Sequence, residues 1–126
     1  MNASVFSVNI DACFDETLLK LRKSLRKECF EIISEGEVSD RIDGKSINQN
    51  VRVLCKCNSK TSAELLKNEK AVYVPSINFL VHESDQNNTE VTVIDPLIVM
   101  TPIQAERMGQ VAAKLREMLK NVIRNL

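Results

Sequence analysis

Residues 71–99 read AVYVPSINFLVHESDQNNTEVTVIDPLIV, and this stretch decides the fold class. It predicts two strands, Ala71 to Glu83 and Glu90 to Val99, joined by a polar turn rich in Asn and Asp at Ser84 to Thr89. A turn this short indicates a hairpin, because parallel strands need a longer crossover. Pro75 and Pro96 lack a donor N–H, so we expect each of them at an edge, a bend or the end of the ladder.

The segment that follows predicts a long helix. Thr101-Pro102-Ile103-Gln104 is a capping box with Pro at the first helical position. Behind it an apolar stripe recurs at helical spacing, comprising Met108, Val111, Ala112, Leu115, Met118, Leu119 and Val122. At 1.5 Å per residue, a helix from Pro102 to Asn125 would run about 36 Å, long enough to lie across a whole sheet.

The upstream segments alternate between strand and helix patterns. They are a strand at Ser4 to Ile10, a helix with the stripe Phe14, Leu18, Leu21 and Leu25, strands at Glu31 to Val38 and Val51 to Cys57, and a short helix capped by Asn58 or Ser59. Only the polar segment Ser39 to Asn50, SDRIDGKSINQN, is interpreted as a loose loop.

The predicted order is therefore β-α-β-β-(short α)-β-β-α over a single domain, residues 1–126. Hairpins in the middle of the chain favour an α+β fold, in which two main helices cover one face of a mainly antiparallel sheet.

Composition excludes several classes of protein. The 126 residues carry 17 Lys and Arg against 17 Asp and Glu, so the phosphate-neutralising excess of a nucleic-acid binder is missing. Three Gly leave no room for a glycine-rich phosphate loop, and one His excludes metal sites built from several imidazoles. We therefore expect no nucleic-acid partner.

The cellular compartment is predicted from the first residues of the sequence, its hydropathy and its cysteines. The first residues lack a secretory pattern, and no stretch approaches the roughly 18 apolar residues of a membrane helix, so a soluble cytoplasmic protein is expected. Cys55 and Cys57 share one face of a strand. They could hold a soft metal, but we favour buried thiols without metal, because neither Cys13 nor Cys29 has matching spacing. No cofactor is expected.

Short motifs in the right order resemble the domain-of-unknown-function family numbered 302. They are Phe14-Asp15-Glu16-Thr17, Cys57-Asn58, Ala63-Glu64-Leu65-Leu66, Val74-Pro75-Ser76-Ile77-Asn78 and Ile94-Asp95-Pro96. Three positions depart from the family pattern: Cys29 replaces a Gly before Phe30, Ser59 replaces a Pro, and Ser76 replaces a Cys. The resemblance implies a small α+β domain of TATA-binding-protein-like fold, usually dimeric, with no established activity.

Five residues form the candidate ligand-binding set: Asn58, Glu64, Ser76, Asn78 and Asp95. Asn58, Asn78 and Asp95 lie where strands begin or end, and a carboxylate with two carboxamides can orient a polar ligand. The competing interpretation is structural: Asn58 caps a helix, Asp95 makes a turn before Pro96, and Asn78 braces a bulge. No catalytic residue is assigned.

The function we expect is a non-catalytic, homodimeric module that binds a small molecule or a protein. The alternative is an enzyme that uses Asp95 or Glu64 as acid or base in a cleft under the C-terminal helix. The dimer is expected on two grounds from the residues: a short sheet has open edges, and the C-terminal helix carries more apolar surface than one sheet face can bury.

Overall fold

The computed structural model describes residues 5–38, 41–42, 45–46, 49–96 and 100–126. Its elements in chain order are β1 (Val5–Ile10), α1 (Phe14–Lys27), β2 (Phe30–Glu37), β3 (Arg41–Ile42), β4 (Lys45–Ser46), β5 (Asn50–Cys57), α2 (Ser59–Leu66), β6 (Ile77–Asp85), β7 (Asn88–Ile94) and α3 (Pro102–Arg124). The predicted α+β class is confirmed.

The main sheet of the described residues is antiparallel and has five strands in the order β1-β7-β6-β5-β2. On its covered face Phe79 of β6 lies between Val93 of β7 and Val53 of β5, and all three side chains are fully buried. The helices α1 and α3 pack there, and they contact each other through the Ser24 hydroxyl, which donates to the Val122 carbonyl at 2.7 Å.

Helix α1 forms as its periodicity predicts. Phe14, Leu18, Leu21 and Leu25 are all buried, while Asp15 and Glu16 lie in the first turn and Arg26 and Lys27 in the last, as the helix dipole favours. The helix ends at Lys27 with Glu28 as its C-cap, and Cys29 adopts a left-handed φ of 68° before Phe30 enters β2. A Gly is the usual residue in that conformation, so Cys29 fills the place at the backbone cost of a side chain.

The strand boundaries differ most from prediction around β6 and β7. The prediction of a strand over Ala71 to Glu83 is wrong for residues 71–76, because β6 begins only at Ile77. The turn is also tighter than Ser84 to Thr89: the ladder continues to Asp85 and resumes at Asn88. The predicted end of β7 at Val99 lies outside the described residues, and β7 itself ends at Ile94.

The segment interpreted as a loose loop holds more structure than predicted. Arg41–Ile42 pairs with Lys45–Ser46 as a two-stranded antiparallel ladder, and Asn50 already belongs to β5. The other residues of that loop, apart from Gln49, lie outside the described part of the chain.

Helix α3 is capped as predicted but is not straight. Gly109 has φ +47° and ψ −123°, a conformation outside the helical region that only glycine adopts without strain, so the axis breaks there. Helix α3 leaves less apolar surface for a second copy than predicted, since even Met118, Ile123 and Leu126 are partly buried against the core of the same chain. Its buried residues find partners within one chain, because α1 provides a second wall beside the sheet.

Candidate functional site

A cleft of about 310 Å³ opens at the end of the sheet where β6 begins and β7 ends. The ladder pairs Asn78 with Ile94 directly across these two strands, and α3 starts beside them. The cleft is lined by Tyr73, Pro75, Ser76, Asn78, Ile94, Asp95, Pro96, Met100 and Gln104. Three of the five predicted site residues, Ser76, Asn78 and Asp95, therefore line one cleft.

Asp95 reaches the cleft from the covered side of the sheet. Residues alternate along β7, so Val93 is buried, Ile94 is exposed and Asp95 again turns inwards, where it is only 3% exposed. Its Oδ2 accepts a hydrogen bond from Nε of Arg116 on α3 at 2.7 Å. The carboxylate thus ties α3 to the end of β7 and is already engaged by a cation.

Asn58 has the structural role. Its Oδ1 accepts the Thr61 N–H at 2.8 Å and caps α2, and its own N–H donates to the Cys29 carbonyl at 2.8 Å. Glu64 lies exposed on the same helix. Among the described residues neither of them lines the cleft, so the two carboxylates of the enzymatic alternative do not share a site.

Tyr73 and Gln104 are the polar residues of the cleft that sequence reasoning missed. Tyr73 belongs to the irregular segment that was predicted as strand, and 47% of it is exposed. Gln104 was assigned only to the capping box, which the structure confirms: the Thr101 N–H donates to its Oε1 at 3.0 Å, and the Gln104 N–H donates to the Thr101 hydroxyl at 3.2 Å. The Thr-Pro-x-Gln motif predicts the place of Gln104 in the first turn of α3, but it does not predict which residues of the sheet lie beside that turn.

His82 lies on the opposite face of the sheet from Phe79, as its position in β6 predicts. It is half-buried, and its Nδ1 lies 2.5 Å from Oδ1 of Asn50 on β5. Asn50 and His82 are directly opposite each other in the β5–β6 ladder, and neither residue lines the cleft.

The comparisons with known proteins agree with this architecture. The model of the family described as domain of unknown function DUF302 matches residues 6–126. This chain belongs to the DUF302 family. A crystal structure of an uncharacterized conserved DUF302 protein from Bacillus stearothermophilus is similar, with a TM-score of 0.73 at 17% identity, over 99% of this chain and 100% of that one. No curated protein matches the sequence.

Membership in DUF302 confirms the resemblance drawn from the motifs, and the structural likeness supports the fold alone. The likeness to a TATA-binding-protein-like fold stays a prediction. In the described ranges, no helix is long and apolar enough to cross a bilayer.

Two thiols of this DUF302 chain are buried under the helices. Cys55 is fully buried and Cys57 is 3% exposed. Burial raises the pKa of Cys55 to about 12, and burial together with the nearby Cys29 raises the pKa of Cys57 to about 11. Both groups are therefore neutral thiols at physiological pH. Over the residues that the structure describes, no group of three or more His, Cys, Asp or Glu could hold a metal ion.

Proposed function

We propose that this DUF302 domain is a non-catalytic, homodimeric module that binds a small, largely uncharged molecule in the cleft between β6, β7 and α3. One observation carries the proposal: neutral hydrogen-bonding side chains and apolar side chains line the same concavity. Tyr73, Ser76, Asn78 and Gln104 offer hydroxyl and carboxamide groups, while Ile94 and Met100 offer apolar contact. Ligand pockets combine polar groups that fix the orientation of the ligand with apolar side chains that contact it.

The burial of Asp95 and its hydrogen bond to Arg116 favour a binding role of the cleft over a catalytic one. A general acid or base must exchange a proton with a substrate within hydrogen-bond reach. The buried Asp95 instead accepts the Arg116 N–H at 2.7 Å, and Glu64 is exposed outside the cleft. Asp95 thus braces the cleft wall.

The size of the cleft limits the ligand. A volume of about 310 Å³ lies at the lower end of the range for small-molecule sites. The neutral donors and acceptors favour a flat, uncharged molecule with an amide-like edge, such as an aromatic amide or a nucleobase, because its edge pairs with the carboxamides and its face packs on Ile94.

The test is a thermal-shift screen of neutral aromatic amides and free nucleobases, followed by titration calorimetry of any hit. A ligand at 100 times its Kd should stabilise the fold by about 2.7 kcal/mol. Asn78→Ala should weaken binding at least tenfold. Asn87→Ala, on the exposed turn between β6 and β7, is the matched control and should bind as the wild type does. A hit that binds both variants equally would contradict the cleft assignment.

The location that we propose is the cytoplasm. Four cysteines are present as free thiols, two buried and two exposed, which suits a reducing compartment. Cells lysed directly into denaturant that contains iodoacetamide should yield protein with four alkylated cysteines by mass spectrometry. Cysteines that escape alkylation because they are paired as disulfides would contradict this location.

A further inference from the structure

The sheet has a second face, turned away from α1 and α3. Alternation in the ladder puts Leu54 of β5, Leu80 of β6 and Thr92 of β7 on it, opposite to the buried row Val53, Phe79 and Val93. Leu54 and Leu80 are each half-buried, and the long helices of the described residues, α1 and α3, pack on the other face. We call this second face the uncovered face. The two leucines lie near its centre, and Asn78 and Ile94 also belong to it.

The charges of the uncovered face are Glu90 on β7, Arg52 and Lys56 on β5, and Glu31 opposite Lys56 on β2. Glu90 and Arg52 are the two nearest its centre, and they lie on different sides of β6. Glu90 of β7 pairs across the ladder with His82, and Arg52 of β5 pairs with Leu80, one pleat further along. A two-fold axis parallel to β6 would lay the β7 of one chain over the β5 of another. Glu90 would then come within about 7 Å, along the strand, of the partner's Arg52. An axis across the strands would instead stack β7 on β7 and bring like charges together.

We infer that a second copy of this chain covers the uncovered face, sheet on sheet, about a two-fold axis that runs parallel to β6 through Leu80. This inference rests on the homodimer of the proposed function and names its interface. Leu80 meets the partner's Leu80 at the axis, and Glu90 pairs with the partner's Arg52 twice. A self-complementary contact of this kind closes as a dimer, because the same patch is used on both copies.

The size of the face is sufficient for such a contact. Five strands spaced about 4.8 Å apart, with six or more residues each at about 3.3 Å, present roughly 500 Å² per chain. Two faces bury roughly 1,000 Å², the lower limit for a specific interface. At the outer strand β2, Gly36 has no neighbouring heavy atom within 4 Å of a Cβ position, so the partner's β1 can approach without obstruction.

The dimer also borders the ligand cleft. Ile94 and Asn78 belong to the uncovered face and line the cleft at the same time. A second copy on that face therefore narrows the mouth of the cleft. Ligand binding and dimerisation are then thermodynamically coupled, so the factor by which a cleft ligand changes the dimer Kd equals the factor by which dimerisation changes the ligand Kd.

Sedimentation equilibrium of the full chain between 1 and 50 µM tests the interface. The wild type should show twice the mass of one 14.2 kDa chain at the upper end. Leu80→Lys should be a monomer, because it sets two cations against each other at the axis. Leu19→Lys is the matched control: Leu19 is 49% exposed on α1, away from the sheet, and this variant should stay dimeric.

Charge reversal tests the direction of the axis. Arg52→Glu and Glu90→Arg should each weaken the dimer about tenfold at low salt, and the double reversal should restore the Kd to within threefold of the wild type. Circular dichroism checks that each variant is folded, and the exposed Arg52 keeps the test valid should Leu80→Lys fail to fold.

Each failure has a distinct meaning. A wild-type mass of one chain at 50 µM overturns both the interface and the homodimer of the proposed function. A dimer that Leu80→Lys does not weaken overturns the interface alone. If Arg52→Glu and Glu90→Arg each weaken the dimer and the double variant does not restore its Kd, the proposed direction of the two-fold axis is wrong, and so is the sheet packing that depends on it.

Discussion

The two faces of the sheet differ in what holds their side chains. On the covered face, Phe79, Val81 and Val93 are completely buried under α1 and α3. On the uncovered face, Leu80, His82 and Thr92, which alternate with them along the same strands, are only half-buried. The same backbone thus carries a core on one side and a surface on the other.

This difference separates folding from binding. Each Å² of apolar area buried on the covered face contributes about 25 cal/mol to the free energy of folding. This face therefore provides most of the stability of the fold. The uncovered face contributes less to the fold of a single chain, and its side chains are free to differ in charge and size. The residues that argue for a partner or a ligand, such as Glu90, Arg52 and Asn78, lie on it or border it.

The largest expected effect separates two neighbours in β6. Phe79→Ala should lower the free energy of unfolding by about 4 kcal/mol, because it removes a fully buried ring and leaves a cavity. Leu80→Ala should cost about 1 kcal/mol, since its side chain is only half-buried and the space left is open to water. Urea unfolding, followed by circular dichroism at a protein concentration below 1 µM, measures both.

Equal losses for the two variants would show that the uncovered face is a second core. The low concentration matters, because a dimer would add its interface energy to the loss at Leu80.

Much of the covered face could be predicted from sequence, because its signals are local. The stripe Phe14, Leu18, Leu21 and Leu25 faces one way on any helix, and the box at Thr101 and Gln104 closes within one turn. The start of β6 was mispredicted for a long-range reason. Residues 71–74, Ala-Val-Tyr-Val, have the apolar and β-branched composition of a strand, but the ladder with β5 begins only at the Ile77–Cys55 pair. In the described part of the chain the residues before Ile77 therefore have no partner strand.

The candidate site was predictable only in part. Ser76, Asn78 and Asp95 belong to motifs that fall at strand ends, and strand ends meet where the sheet stops. Tyr73, Gln104 and Arg116 approach them from segments whose packing depends on how α3 crosses the sheet. No spacing in the sequence encodes that crossing.

The second prediction concerns the buried carboxylate at the edge of the covered face. Arg116→Met should cost about 2 kcal/mol, because it leaves the Asp95 carboxylate, 3% exposed, without its charged donor. Asp95→Ala should cost only about 1 kcal/mol, because the Arg116 side chain is 48% exposed and can turn to water. The same urea titrations give both values, and a larger loss for Asp95→Ala than for Arg116→Met would show that Asp95 braces more than this pair.

The last prediction distinguishes the covered face by its response to alkali. Burial raises the pKa of Cys55 to about 12 and that of Cys57 to about 11, so folding holds both as neutral thiols while the unfolded chain ionises near pH 9. A raised thiol pKa stabilises the fold fully below pH 9, and this contribution is lost as pH rises towards the folded value. Each thiol should therefore lower the free energy of unfolding by about 1.4 kcal/mol per pH unit between pH 9 and 11.

Cys57→Ala should reduce the slope of unfolding free energy against pH in that window by about half, whereas Cys13→Ala, at an exposed position, should keep the wild-type slope. A Cys57→Ala slope equal to that of the wild type would mean that water reaches this row of β5, and the contrast between the two faces would then fail at its edge.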